Sequence, residues 1–376
     1  MEAAETRTEA CPPDFRFGGW RVELMDGEQW ASRLWIVDKE MRIGGSSVKI
    51  GGISSVETGE KYRGRGLASQ VMEAALKLMA REGYQATILH GIPDFYHRFG
   101  YAVCMPEYSL RISTLDAERA QGSHSLREPK DIDWPAIARL YNGENAFRTG
   151  TIVRDAGSWK GFPRSVGFFT KAAVRVAVDP KDRVVGYVVF DDDAARCRAA
   201  EAGGLSGDVL GSLLRFLAER AVTLRKEEVS LCLPPDHAMA VYARKFGCEA
   251  TIRFARNGEF MGRIVDFHGF MDTFAEGLGR ESDLAPPDGR VIFSTDMGLC
   301  MLIVEKGRAR MDRNAPPDSQ DAAHLGQGAL LQMLMGYRSA RDLLAAGEIQ
   351  AASEPLDLLG AWFPLRNACM YWPDRF

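Results

Sequence analysis

The stretch VETGEKYRGRGLA, residues 56–68, joins a β-rich segment to a helix through a basic turn that contains two glycines. Glycine has no Cβ and adopts positive φ readily, so backbone N–H groups in such a turn can approach an anion closely. After the turn, Leu67, Val71 and Ala75 recur at helical spacing, and a helix N-terminus attracts negative charge. The pattern predicts a pyrophosphate cradle formed by Arg63, Gly64, Arg65, Gly66, Leu67 and Ala68.

A second motif follows this helix. Residues 86–90, ATILH, predict a short strand, and residues 94–101, DFYHRFGY, come directly after it. The two motifs together resemble the GNAT superfamily of acyl-CoA-dependent N-acetyltransferases. The loop pattern of that family is Gln or Arg, two residues, Gly, one residue, and Gly or Ala. Here it reads Lys61 to Gly66, with lysine in the first position.

The resemblance implies an α/β (α+β) domain that uses acetyl-CoA as co-substrate. Tyr101 resembles the position from which many family members protonate the leaving thiolate, since a phenol with a pKa near ~10 can donate to a thiolate. The competing interpretation is a strand tyrosine packed in the core. Tyr96 is predicted to contact the cofactor, and backbone N–H groups of Ser54, Ser55 and Val56 are predicted to hold the thioester carbonyl.

Composition sets broader limits. The chain has 376 residues, enough for two or three domains, and its net charge of −4 provides no basic field for nucleic acid or anionic lipid. Its seven cysteines are scattered without a C-x-x-C pair, which favours a reduced cytoplasm and predicts no metal site. No apolar run approaches the length of a membrane span, and the acidic N-terminus has no signal-peptide core. The sequence therefore predicts a cytosolic protein that binds neither nucleic acid nor membrane.

The chain also repeats one plan. Residues 1–125 contain a strand meander, the cradle, a helix and the Phe99-Gly100 motif, and residues 126–265 contain a second set of strands and a long helix that leads to Phe246-Gly247. The second copy has acidic residues before its long helix, and Cys248 occupies the position of Tyr101. We interpret it as a degenerate acetyltransferase-like domain that does not bind the cofactor.

Residues 266–376 form the third part of the predicted organisation. The run from Leu334 to Ala340 and the ending YWPDRF resemble the sterol-carrier-like third domain of the enhanced-intracellular-survival branch of GNAT enzymes. That branch has two acetyltransferase-like domains followed by this one. One feature differs: only 19 residues, including Pro12-Pro13, precede Trp20, so the strand and helices that usually cover the acceptor side are expected to be missing or supplied by another subunit.

In the resembling branch the catalytic base is the terminal carboxylate of a C-terminal phenylalanine, and this chain also ends in Phe376. A free α-carboxylate has a pKa near ~3.5, so it is a weak base unless burial raises its pKa or a water relays the proton. Trp372, Pro373 and Phe376 are predicted to dock the tail. His90 is interpreted as a strand-end residue, and Asp191-Asp192-Asp193 as a solvated turn.

The predicted function is acetyl transfer to a primary amine, either a small polyamine-like molecule or a protein lysine, by a homo-oligomer. Aminoglycosides are a poor match because Arg375, a cation, precedes Phe376 where the resembling enzymes have an acidic group. Two alternatives stay open: a non-catalytic acyl-CoA or lipid-binding module, and a regulatory acyl-CoA sensor.

Overall fold

A computed structural model describes residues 5–11, 18–204, 206–278, 280, 285–316 and 320–376. Residues 1–4, Pro12-Pro13 and Leu205, on which parts of the sequence analysis rest, lie outside these ranges. The chain forms two compact units. Unit 1 contains residues 1–105, 255–366 and Phe376, and unit 2 contains residues 106–254 and 367–375.

Unit 1 begins with a strand meander, as the sequence predicts. The elements are β1 (Glu5–Cys11), β2 (Gly19–Asp26), β3 (Gln29–Ile43), β4 (Ser46–Thr58), α1 (Leu67–Arg81), β5 (Ala86–Gly91) and β6 (Ala102–Val103). β1 was not predicted: it pairs antiparallel with β2 and extends the sheet before Trp20. Helix α1 packs its apolar stripe, Leu67, Val71, Ala75 and Met79, into the unit 1 core.

Unit 2 carries the second acetyltransferase-like fold. Its elements are β7 (Glu107–Ser113), α2 (Thr114–Ala117), β8 (Ser125–Arg127), α3 (Trp134–Glu144), β9 (Ala172–Val178), β10 (Val184–Asp191), β11 (Arg198–Gly203), α4 (Gly207–Thr223), β12 (Glu228–Leu231), α5 (Ala238–Ala243) and β13 (Glu249–Arg253). The seven-stranded sheet has the order β13-β7-β12-β11-β10-β9-β8. Asp191 is not solvated as predicted, because Arg198 pairs with its buried carboxylate at 2.6 Å.

The chain then returns to unit 1. The remaining elements are β14 (Glu259–Ile264), α6 (Phe267–Gly277), β15 (Gly289–Thr295), β16 (Gly298–Glu305), β17 (Arg308–Asp312), β18 (Ala322–Leu325), α7 (Gln327–Leu334), α8 (Ala340–Ala345), β19 (Ile349–Gln350) and α9 (Ser353–Trp362). β14 inserts between β5 and β6, giving the sheet order β1-β2-β3-β4-β5-β14-β6, and β15 to β19 form a separate five-stranded sheet.

The sheets exchange strands at places that differ from the predicted domain boundaries. β7 lies before residue 125 but pairs in the second sheet, and β14 lies before residue 265 but pairs in the first. The division into 1–125, 126–265 and 266–376 stays a prediction. The mixed α/β architecture, with two acetyltransferase-like sheets and a further α+β part, is confirmed.

Candidate functional site

The predicted cradle is an open turn at the N-terminus of α1. Gly64 has φ +75° and Gly66, the residue that caps the helix, has φ +74°, which is a conformation that favours glycine. No side chain caps the helix, and a Cβ added at either glycine would meet no atom within 4 Å. Arg63 and Arg65 are exposed on the same turn. The amides of the first helical turn are thus accessible to an anion from outside.

Tyr62 holds the turn through a hydrogen bond and through its buried ring. The Tyr62 hydroxyl donates to Asp26 Oδ2 at 2.8 Å, and its buried ring packs in the core with Leu67. Lys61 donates to Gln29 Oε1 at 2.6 Å, and its Nζ lies 4.7 Å from the centroid of the Tyr62 ring. The lysine thus contributes contacts within the turn.

Strands β4 and β5 separate near the residues that the sequence predicts to hold the thioester carbonyl. Their parallel register runs from Ile50–Ala86 to Ile53–Leu89, while β4 continues to Thr58. Beyond the last pair, a register shift against β3 produces a bulge, and Ser55 has φ +48°. A bulge at the point where two parallel strands part leaves backbone N–H groups unused by a neighbouring strand on that side. Ser54, Ser55 and Val56 lie there, as predicted.

Two adjacent glycines on β4 face opposite sides of the sheet. A Cβ on Gly51 would clash with Met79 of α1, whereas a Cβ on Gly52 would lie 2.5 Å from the ring of Phe376. The terminal residue therefore packs directly against the β4 backbone, on the face opposite α1. Side chains alternate along a strand, so Ser54 shares the Gly52 face. The structure thus brings Phe376 close to the start of the parted segment.

Tyr101 is buried, with 3% of its surface exposed. Thr87 Oγ1 donates to Gly51 O at 2.6 Å, so the Tyr101 hydroxyl is the donor in its 3.1 Å bond to Thr87. Burial raises the pKa of Tyr101 above its ordinary value near 10. The hydroxyl lies beside the paired part of β4 and β5, before the strands separate. This position resembles the core-packing interpretation more than the cofactor-facing one.

Tyr96 lies nearer to the parted strand ends. Its ring packs on Gly91, where a Cβ would approach to 2.6 Å, and Gly91 lies two residues after Leu89, the last residue of β5 that pairs with β4. Its centroid is 6.2 Å from that of Tyr101 in an edge-on arrangement. Burial raises the pKa of the Tyr96 hydroxyl. His90 packs edge-on against Phe260, in agreement with a strand-end role.

The turn after the Tyr96 segment is held by the sterol-carrier-like part of unit 1. Gln327, at the start of α7, donates to Gly100 O at 2.5 Å and accepts from the backbone N–H of Ile264 at 3.1 Å. Arg263 donates to Phe99 O. Sequence reasoning missed this support, because nothing in the local pattern of Gln327 distinguishes it from an ordinary helix-start residue.

The corresponding loop of the second copy is closed by its own side chains. Glu144 Oε1 accepts from the backbone N–H of Gly204 at 2.5 Å, and the Ser206 hydroxyl accepts from Val209 at 3.2 Å. Burial raises the pKa of Glu144 to about 7, and Glu201 adds to the shift. The residues before α4 thus have acceptors supplied by the protein's own carboxylate and hydroxyl groups.

Comparison with known proteins agrees with this geometry. Residues 18–104 match the family model described as an acetyltransferase (GNAT) domain, and residues 294–371 match the sterol carrier protein domain. The chain therefore carries a GNAT domain at its start and a sterol-carrier-type domain near its end. Over 77 residues it is 34% identical to the uncharacterized N-acetyltransferase YhbS of Escherichia coli, covering 20% of this chain and 46% of YhbS. It thus spans about half the length of that relative.

Solved structures share the fold over 95% of the chain. A GCN5-related N-acetyltransferase from Anabaena variabilis has a TM-score of 0.74 at 20% identity, with 89% of its chain covered. A probable N-acyltransferase from Enterococcus faecalis has a TM-score of 0.75 at 18% identity, also with 89% covered. Eis1 from Mycobacterium abscessus has a TM-score of 0.65 at 16% identity, with 91% covered. The predicted resemblance to the Eis-like branch is confirmed at the level of fold.

Three further observations concern the described ranges. No three His, Cys, Asp or Glu side chains there come together as a metal-binding group. None of the helices in that part of the chain has the length and apolar character that crossing a membrane requires. All seven cysteines are free thiols.

Proposed function

We propose that the protein is an acetyl-CoA-dependent N-acetyltransferase that acts on a primary amine. The observation that carries this proposal is the pairing of an open, glycine-built helix N-terminus with parted strands β4 and β5, inside the region that matches the GNAT domain. An anion site at a helix N-terminus is common in proteins and is not specific by itself. Two strands that part at a bulge are equally unspecific by themselves. Together they provide a place for the diphosphate and a place for the thioester of one extended cofactor.

The cradle residues fit the cofactor's diphosphate. Amides of the first helical turn, at Leu67 and Ala68, act with the helix dipole, and the exposed Arg63 and Arg65 side chains add positive charge. The glycines at 64 and 66 keep the approach open, since the space that a side chain would fill is empty. Acetyl-CoA supplies a thioester carbonyl that an amine can attack. Backbone N–H groups of Ser54, Ser55 and Val56 would orient and polarise that carbonyl.

A proton must reach the departing sulfur, and two tyrosines compete for this role. The family resemblance assigns it to Tyr101, whose hydroxyl donates to Thr87 beside the paired strands. For Tyr101 to act, its ring must turn toward the parted segment. Tyr96 packs on Gly91, beyond the last residue of β5 that pairs with β4, so the geometry favours Tyr96. Burial keeps both phenols protonated at neutral pH, as an acid requires.

The amine must lose a proton, and we assign this step to the terminal carboxylate of Phe376, directly or through a water. The packing of the Phe376 ring on Gly52 supports the assignment, because it holds the terminus near Ser54. Adding residues after Phe376 moves the charge elsewhere without touching the cradle. If the Phe376 carboxylate is the base, activity should be lost when residues are added after it. Activity should be largely retained when only the Phe376 side chain is shortened.

The test compares four proteins: an N-terminally tagged chain, the same tag at the C-terminus, a chain lacking Phe376, and Phe376→Ala. Thiol release from acetyl-CoA is measured with a panel of primary amines, and acetyl-CoA binding by calorimetry. We expect the C-terminal tag and the deletion to lower kcat by about 10²- to 10⁴-fold with binding unchanged, and Phe376→Ala to have the milder effect. Full activity of the C-terminally tagged protein would remove Phe376 from the mechanism.

The acceptor is proposed as a small polyamine-like molecule or a protein lysine. Arg375 does not present its charge to a polycationic substrate, because it is buried and paired with Glu107 at 2.7 Å. The lipid-carrier alternative gains no support from the cavity beside α6 and α9, lined by Phe274, Leu334 and Trp362, which holds only about 10 Å3. Absence of thiol release with every amine, together with acetyl-CoA binding, would favour the non-catalytic alternatives.

Self-association and a cytosolic location are retained as proposals. Phe169 is fully exposed and Phe254 largely exposed, and these two apolar side chains are available to a second copy of the chain. Sedimentation of a monomer at micromolar concentration would contradict self-association.

A further inference from the structure

Strand β13 forms one edge of the unit 2 sheet and is exposed along its whole length. Its five residues, Glu249–Arg253, are all exposed, and among the residues that the structure describes only β7 pairs with it. An edge strand presents unpaired backbone N–H and C=O groups, and proteins usually protect such an edge with proline, lysine, a bulge or a covering element. β13 has neither proline nor lysine, and its register with β7 runs without a shift. Its outer edge is therefore available to another strand.

The opposite edge of the same sheet is protected. Strand β8 there has only three residues, Ser125–Arg127, and its last residue carries a charge. Arg127 is held by Asp133 at 2.6 Å and by Asp182 at 2.7 Å. A short edge strand with charged side chains is a poor site for pairing with another chain. The two edges of one sheet thus differ, and β13 is the one that can accept a strand.

The side chains of β13 separate into a polar face and an apolar face. Because side chains alternate along a strand, Glu249, Thr251 and Arg253 lie on one face, and Ala250 and Ile252 lie on the other. Ile252 is 42% exposed. A partner strand for this edge must therefore offer a charged and an apolar face in the same order.

A second copy of β13, antiparallel and centred on Thr251, meets this requirement at every position. Glu249 then lies opposite Arg253 of the second copy, Ala250 lies opposite Ile252, and Thr251 lies opposite itself. Opposite charges and Thr–Thr pairs directly across two strands are both stabilising. The strand is thus complementary to itself in charge and in polarity.

Backbone geometry selects the same register. Alternate residues of β13 direct their N–H and C=O groups toward β7, and the others direct them outward. Two identical edges therefore pair only when residues separated by an even number lie opposite each other. Of the registers that satisfy this condition, only the one centred on Thr251 places Glu249 opposite Arg253, because any shift moves both charges past each other.

The neighbouring strand β7 continues the alternation of charge. In the register between β7 and β13, Arg111 lies opposite Glu249, with an ion pair of 2.9 Å, and Glu107 lies opposite Arg253. One line across four strands of the pair then reads Arg111, Glu249, and Arg253 and Glu107 of the second copy. The sign changes at every step. Exposed ion pairs contribute little affinity individually, so this ladder sets register and partner choice, while backbone hydrogen bonds join the strands.

We propose that two copies of this chain associate through β13, antiparallel and around a twofold axis at Thr251, so that their seven-stranded sheets become one continuous sheet. The inference rests on the self-association put forward under the proposed function and names its surface. It does not depend on the transfer chemistry. Because the interface is twofold symmetric, the pair between Glu249 and Arg253 occurs twice.

The test reverses each charge of this pair in the full chain. The variants are Glu249→Arg, Arg253→Glu and the chain with both substitutions. Glu219→Arg on α4 is the matched control, because Glu219 also forms an exposed 2.9 Å pair with an arginine, Arg215. Sedimentation equilibrium over a range of concentrations measures association, thermal unfolding measures folding, and calorimetry measures acetyl-CoA binding.

We expect each single reversal to weaken the dimer by about 10- to 100-fold, because two attractive pairs become repulsive. Glu219→Arg should associate like wild type. The chain with both substitutions regains association, since the exchange keeps opposite charges face to face. Mixing the two single variants should also restore association, because one strand then carries two arginines and the other two glutamates. Should a reversal fail to fold, Glu249→Gln and Arg253→Gln replace it, with a smaller loss expected.

Three results would overturn the proposal. A wild-type monomer at micromolar concentration removes self-association altogether. A dimer that persists in both single variants forms through another surface, such as the exposed edge strand β1 of unit 1. Two folded single variants that do not associate with each other exclude the register centred on Thr251. Thiol release from acetyl-CoA is scored separately in every variant, so failure of the proposed enzymatic activity is distinguished from failure of this interface.

Discussion

The two long helices, α1 in unit 1 and α4 in unit 2, differ in the groups that lie next to the backbone N–H groups at their N-termini. Before α1, Gly64 and Gly66 leave the helix amides open, and two exposed arginines flank them. Before α4, Glu144 and Ser206 accept from the loop and helix amides. Because a helix N-terminus attracts negative charge, the two loops differ in whether a side chain of the protein supplies that charge. The Glu144 carboxylate accepts from the loop before α4, whereas the turn before α1 presents two exposed arginines.

The motif that follows each helix and strand shows a parallel difference. Gly100 and Gly247 both have positive φ, +78° and +75°, but Tyr101 follows the first and Cys248 the second. The two glycines differ in ψ, which is 13° at Gly100 and 127° at Gly247, so the two turns share the sign of φ and not the whole backbone conformation.

The largest expected effect separates the two candidate acids of the first copy. We expect Tyr96→Phe to lower kcat by about 10²- to 10⁴-fold with acetyl-CoA affinity retained, because the ring lies at the parted strand ends. Tyr101→Phe is expected to lower stability by about 1 kcal/mol through loss of its bond to Thr87, with less than about a tenfold change in kcat. Cys248→Ser is the control. The reverse order of the two tyrosines would return the acid role to Tyr101.

The open loop itself is the next target. Gly66→Glu places a carboxylate where phosphate is expected and forces a strained φ, so we expect acetyl-CoA binding to weaken by about 100-fold, the equivalent of a few kcal/mol. Gly66→Ala, which introduces strain without charge, should have a smaller effect. Calorimetry should also give one site per wild-type chain. Two equivalent sites would contradict the comparison, because the loop before α4 would then be open as well.

The closed loop predicts a pH effect on stability. Folding raises the pKa of Glu144 from about 4.5 to about 7, so between these values the folded state binds more protons than the unfolded state. Stability therefore falls as pH rises across this window, and Glu144→Gln should lack that contribution while its amide oxygen still accepts from Gly204. Urea unfolding at about pH 5 and about pH 7.5 measures it. An unchanged pH dependence in the variant would show that Glu144 does not titrate in this window.

The smallest effect concerns the cap of the closed loop. Ser206→Ala removes an acceptor for Val209 N and should lower the free energy of unfolding by about 1 kcal/mol, without changing acetyl-CoA affinity. A change in cofactor affinity in this variant would indicate that the loop before α4 takes part in binding.

Local sequence predicted much of the first copy because its signals are short-range. The strand meander, the helical stripe of α1 and the positive φ at Gly64 and Gly66 each follow from a few neighbouring residues. By contrast, β14 completes the first sheet from beyond unit 2, and β7 pairs in the second sheet. Strand exchange over such separations depends on which edges are available after folding, and local pattern carries no information about that.

What the sequence by itself determined was the pair of glycines and arginines in the turn before α1 and the repeated order of motifs, since these reside in residue type and order. Tertiary structure alone decided where each group points. It places the Phe376 ring against Gly52 and the Tyr101 hydroxyl beside Thr87, and it secures the tail with buried ions where the sequence predicted an apolar anchor. The physical reason is that burial and partner choice are properties of the packed chain: Asp374 and Arg375 are ordinary surface residues until the fold encloses them with Arg154 and Glu107.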